Sequence, residues 1–234
     1  MTTTLEYSIL AGAAYFSTRT DINRFPIPQG WSELIDDRRA NDQTGFEARA
    51  FQSGTEIVIS YAGTDPNNTS LFAPDWQANF ALVNGNWSGQ LLQAAEYYLL
   101  IKAANPNATI TLTGHSLGGG LAALVAVFFG VPASIFDQAP FAQSATALSD
   151  NAVTLKNYLV AKLSGGNRVY SDAVLAPLTD YLQVRGPNNQ IPRAGLVSAV
   201  RVDGEFTGNG ILAGLYSAIG NSPSVLTHGP YASP

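Results

Sequence analysis

The chain has 234 residues, a formal net charge of −5, no cysteine and only 12% charged side chains, about half the share usual for soluble proteins. That length suits one large domain or two small ones, and the missing cysteines exclude disulfides, thiolate metal sites and cysteine nucleophiles. No Lys/Arg cluster is present, which makes nucleic acid and anionic membrane surfaces poor partners. Met1 to Glu6 has no basic stretch of the kind that opens a signal peptide. The longest apolar run, Leu121 to Phe129, is too short to span a bilayer. The chain therefore reads as soluble, with leaderless export left open.

Leu5 to Phe16 predicts a helix with Ile9, Ala13 and Phe16 on one face. After a Pro/Gly loop at 25–30, Phe46 to Phe51 and Glu56 to Tyr61 predict two strands. Ser53-Gly54 joins them as an antiparallel hairpin. Ala62-Gly63-Thr64-Asp65 ends the second strand. Phe72, Trp76 and Phe80 then recur every fourth residue, a stripe suited either to core packing or to a cover over a site. Gln90 to Ala104 predicts an amphipathic helix closed by Asn105-Pro106.

Thr109 to Thr113 alternates threonine with Ile110 and Leu112, a strand pattern, and Leu121 to Phe129 is an apolar, alanine-rich helix. Between them Gly114, Ser116 and Gly118 form G-x-S-x-G. On so sharp a strand-to-helix turn the serine takes strained dihedrals, and the glycines let strand and helix pass without a Cβ clash. Beyond this turn, Ala133 to Phe136 predicts a strand followed by Asp137. Residues 141 to 182 are mostly helical, with breaks at Ser164-Gly165-Gly166 and at Pro177, and Leu196 to Val202 is the last clear strand. Residues 208 to 220 read as weakly helical. Strands alternating with helices make the chain a single α/β domain over residues 1–234.

A serine hydroxyl is a weak nucleophile until an adjacent base takes its proton. The chain has two histidines. His115 precedes Ser116, so its ring leaves the turn in another direction, and His228 is the base by elimination. A serine–lysine pair is the lesser alternative. The imidazole needs a carboxylate to fix its tautomer. Asp137, Asp203 and Glu205 each follow a strand's C-terminal end, where the sites of α/β sheets gather. Strand parity leaves Asp203 and Glu205 equivalent.

Tyr61-Ala-Gly-Thr64, Asp75-Trp76 and Thr113-Gly-His-Ser-Leu-Gly-Gly119 stand in an order and spacing that resemble the class 3, fungal-type triacylglycerol lipases of the α/β-hydrolase superfamily. The resemblance covers about residues 46–137 well and the remainder in outline. It implies a mixed, mostly parallel sheet with helices on both faces. It also implies carboxylic-ester hydrolysis through an acyl-enzyme, with an ester or lipid as substrate and no metal or organic cofactor. By the same resemblance Thr64 and Leu117 supply the oxyanion hole, Gly204-Glu205 marks Glu205 as the triad acid ahead of Asp203 and Asp137, and residues 66–83 correspond to a lid. Ala62 stands where the family usually has arginine. A phospholipid, a polyester or an alcohol acceptor are alternative acyl substrates or partners. A turnover-free binding protein is the alternative outside the enzymes.

Overall fold

The structure is a computed structural model and describes residues 2–17, 19–34, 39–41, 44–63, 81–82, 84–185, 190–202, 218–220 and 224–226. Its frame is one sheet. The first strands, β1 (Ser32–Glu33) and β2 (Arg39–Asn41), both pair antiparallel with β3 (Phe46–Ser53), which in turn pairs antiparallel with β4 (Glu56–Tyr61). From β4 onward every pairing is parallel, through β5 (Thr109–His115), β6 (Ala133–Phe136), β9 (Val197–Val202) and β10 (Ser224–Leu226). The β3–β4 hairpin turns at Gly54, whose φ of 57° is the left-handed value that such a turn requires.

The helices divide between the two faces. In β5, Thr113 turns toward α1 (Thr4–Ala13), its hydroxyl donating to Ser134 O at 2.6 Å and lying 3.4 Å from Tyr7 O. Its neighbour Gly114 abuts α3 (Leu117–Phe129) instead. Successive strand residues face opposite ways, so α1 lies on one face and α3 on the other. Next to α3 pack α2 (Gly89–Ala104) and α6 (Asp172–Val184). The short α4 (Ala142–Ala145) and α5 (Asn151–Ala161) complete that layer. Strands β7 (Leu163–Ser164) and β8 (Asn167–Arg168) form a separate small hairpin.

All thirteen residues of α3 are buried, and none is charged. A helix so placed must satisfy its terminal carbonyls without water. Gly130 adopts the left-handed C-cap, φ 72° and ψ 38°, and donates to Ala126 O at 2.8 Å. The Arg193 Nη1 group donates to Val127 O (3.3 Å), Phe128 O (3.1 Å) and Pro177 O (3.0 Å). A cation at a helix C-terminus also complements the helix dipole. One element departs from expectation. Pro177 does not break the chain but lies inside α6, with its carbonyl held by Arg193.

The first helix ends at Ala13 rather than at Phe16. Beyond it the carboxylate of Glu47 accepts from Phe16 N (3.2 Å), Ser17 N (2.8 Å) and Ser17 Oγ (2.9 Å). Two residues along the same strand, Arg49 donates to Ala13 O and pairs with Glu33 in an ion pair whose side chains are both 6% exposed. These bonds draw the end of α1 onto β3. Residues 208–217 and most of the segment 66–83 lie outside the described residues.

Replacing Arg193 by methionine keeps the apolar stem but strips the buried end of α3 of its donor. Urea denaturation is expected to register a loss of about 2–4 kcal/mol, the cost of stranding buried carbonyls that had charged partners.

Candidate active site

Ser116 joins β5 to α3 at φ 55° and ψ −124°, one of three non-glycine residues with positive φ among the described residues. That conformation costs a side-chain-bearing residue energy, and it persists where surrounding packing over-determines it. Here the packing is backbone on backbone. A Cβ on Gly118 would fall 2.0 Å from Tyr61 O, and one on Gly114 would fall 2.5 Å from Gly118 C. Helix α3 therefore crosses the end of β4 at a distance only glycine permits. Ser116 N donates to Phe136 O at 3.2 Å, and Ser116 O accepts from Gly120 N (3.0 Å) and Ala139 N (2.9 Å). The turn is thereby tied to β6 and to the chain beyond it.

A serine at a helix N-cap ordinarily accepts an N–H of the first turn. Ser116 occupies the N-cap of α3 and makes no such bond, because its dihedrals swing the side chain away from the helix. Ser116 Oγ thus leaves the first-turn N–H groups of α3, at the positive end of the helix dipole, uncapped by its own side chain. The nucleophile elbow expected from the sequence is present in this geometry.

His115 leaves the turn on the α1 face, where its Nδ1 lies 3.1 Å from Tyr15 Oη. Asp137 follows β6 at φ 41°, is buried, and its N–H donates to Val200 O at 2.9 Å. It borders the same cavity as His115 and Tyr15. Sequence reasoning did not anticipate this grouping, and no local pattern links three residues from three elements. Gly63, just before Thr64, is the meeting point. A Cβ there would lie 2.3 Å from Tyr15 Oη, 2.6 Å from His115 O and 3.3 Å from Ser116 Cβ. Upstream, Tyr61 Oη donates to Ala94 O at 2.8 Å. Burial, with a further push from Tyr97 and Tyr98, raises its pKa well above that of an ordinary phenol, so it stays a donor fixing the end of β4. The expected base His228, the expected acid Glu205, its alternative Asp203, and the oxyanion residue Thr64 lie outside the described residues.

Parallel strands, an α3 crossing on glycines and a strained serine at the carboxyl end of the sheet define the α/β-hydrolase fold. A model of the Tle-like phospholipase domain, a phospholipase-like family, matches residues 6–162, and the chain belongs to that family. An extracellular phospholipase A1 of Serratia liquefaciens is 34% identical over 96 residues, a stretch that is 41% of this chain and 28% of that protein. The chain thus spans well under half the length of this relative. Among solved structures, lipase II of Rhizopus niveus superposes with a TM-score of 0.46 at 12% identity, covering 87% of this chain and 72% of that one. The lipase of Rhizopus microsporus var. chinensis gives 0.42 at 14% identity, covering 58% and 56%. No helix among the described residues is long and apolar enough to cross a membrane.

Gly118→Ala places a methyl group into the Tyr61 carbonyl and is expected to cost at least about 3 kcal/mol, or to abolish folding. Gly89→Ala, at the start of α2 where a Cβ meets nothing within 4 Å, is the matched control. Thermal melts of the two should part widely, with the control unchanged or slightly more stable.

Proposed function

We propose that the chain is a serine carboxylic-ester hydrolase acting on lipid esters. The observation that carries the reading is Ser116 itself, held at φ 55° on the N-terminus of a buried helix without capping it. In this reading Ser116 Oγ attacks the ester carbonyl carbon while His228 takes its proton, and Glu205 fixes the imidazole. The N–H groups of Leu117 and Thr64 receive the charge that develops on the carbonyl oxygen. Each such donor is worth roughly 10²–10³ in rate. Collapse of the tetrahedral intermediate breaks the ester bond, and the departing alkoxide recovers the proton from His228. Water then adds to the acyl-enzyme by the same path in reverse, releasing the acid and restoring Ser116. The steps need no metal or organic cofactor.

The family membership and the Serratia relative favour a phospholipid as the natural ester. Phosphatidylcholine vesicles and p-nitrophenyl butyrate, assayed together, weigh that choice against a simple esterase.

Ser116→Ala is expected to lower kcat/KM for p-nitrophenyl butyrate by at least roughly 10⁴-fold, and to remove labelling by a fluorophosphonate probe. Wild-type turnover in that variant, or a wild-type protein that the probe leaves unlabelled, would sink the proposal and favour a turnover-free binding protein. Glu205→Gln, Asp203→Asn and Asp137→Asn, assayed side by side, identify the acid. The loss, of up to roughly 10⁴-fold in kcat, is expected in the Glu205 variant.

A further inference from the structure

The chain leaving β4 and the elbow that follows β5 meet at Gly63, and the group seated between them comes from neither strand. A Cβ on Gly63 would overlap the Tyr15 hydroxyl and come within 3.3 Å of Ser116 Cβ. The hydroxyl of Tyr15 thus occupies the space that a side chain at 63 would need, and it does so beside the nucleophile. Tyr15 stands two residues past α1, and the next two amides of the chain are held by Glu47. Its ring clusters with Ala14 and Ala62, and the Arg19 guanidinium lies over it at 5.0 Å. Although it borders a cavity of about 520 Å³ between α1 and the ends of β5, β6 and β9, the residue is only 6% exposed. A ring so enclosed delivers its hydroxyl to one place.

There the hydroxyl meets the imidazole that precedes the nucleophile, with Tyr15 Oη 3.1 Å from His115 Nδ1. A phenol hydroxyl both donates and accepts, while Nδ1 accepts in one tautomer and donates in the other or in the imidazolium. The contact therefore holds in every state of the ring, and a phenylalanine could make it in none. We propose that Tyr15 is a positioning residue for ester cleavage: its hydroxyl, held by His115, is the spacer that sets Ser116 against the chain leaving β4. The inference rests on the ester-hydrolase reading, in which the residue after Gly63 gives one of the oxyanion N–H groups. Such a donor helps only at the right distance from the developing charge, and a misplacement of about 1 Å can cost roughly 10²-fold in rate. Tyr15 acts through Gly63 and His115 rather than on the substrate.

Tyr15→Phe keeps the ring and its packing and removes only the hydroxyl. With p-nitrophenyl butyrate, kcat is expected to fall roughly 10- to 100-fold while KM stays within about twofold of wild type. The rate of fluorophosphonate labelling should fall in parallel. His115→Leu, which removes Nδ1, is expected to give the same loss, and the double variant no more than either change alone, as for two halves of one contact. His115→Asn, whose amide can stand where Nδ1 stood, is expected to return kcat to within about fivefold of wild type. A merely structural role would lower the melting temperature without producing this pattern. An unchanged kcat in Tyr15→Phe, a loss carried by KM, losses that multiply in the double variant, or an asparagine variant as poor as the leucine one each overturn the assignment. The hydrolase reading survives all four, provided that wild-type protein cleaves the ester and takes the label. Wild-type protein that does neither overturns both. Should Tyr15→Phe fail to fold, the comparison of His115→Leu with His115→Asn decides alone.

Discussion

The passage of α3 across the end of β4 is the constraint from which the rest follows. With a 2.0 Å separation between a would-be Cβ of Gly118 and Tyr61 O, helix and strand meet through backbone alone. A chain that must leave β5 and turn into so close a helix has no room for ordinary dihedrals at the junction, and Ser116 takes the strain. The same crossing sinks α3 wholly into the core, where each terminal amide and carbonyl must find a partner inside the protein. At the C-terminus those partners are Gly130 and Arg193. At the N-terminus no side chain of the helix's own cap supplies one. An uncapped amide end in a low-dielectric setting is where a developing negative charge gains the most.

A chain this poor in charge spends much of it on backbone groups. Glu47 and Arg49 hold the segment that follows α1, and Arg193 holds two helices. Anchoring α1 in this way fixes Tyr15 against His115 and Gly63. Ala62, where the lipase resemblance leads one to expect arginine, packs in a small apolar cluster with Ala14 and Tyr15. Ala62 therefore contributes to the docking of the end of α1.

How much of this was legible in the sequence depends on the range of the interaction concerned. The β3–β4 hairpin, the elbow and the strand before Asp137 are encoded within a few residues, by alternation and by glycines at fixed spacing, and they stand where the pattern put them. Pro177 reads as a break because proline removes one helical N–H, yet it lies six residues into α6, whose apolar side (Leu175, Leu178, Tyr181) is buried in the core and holds the helix through that loss. The end of α1 was placed three residues late because Glu47, 31 residues from Phe16, captures the amides that would have continued the helix. The cavity was invisible for the same reason, its walls being drawn from α1, a loop and three strands. Of the site residues, Ser116, Leu117 and Asp137 are described, whereas Thr64, Asp203, Glu205 and His228 are not.

The alternation of β5 decides which helical layer each residue next to the elbow meets. Gly114 faces α3, and that face is closed, since Leu117 to Phe129 are buried throughout and pack against α2, α6 and the sheet. His115, one residue later, must face α1, and that face carries the cavity. The parity that makes His115 unsuited to act as the base therefore sets its ring beside Tyr15 Oη, 3.1 Å from Nδ1, in the contact that docks the end of α1 on the sheet.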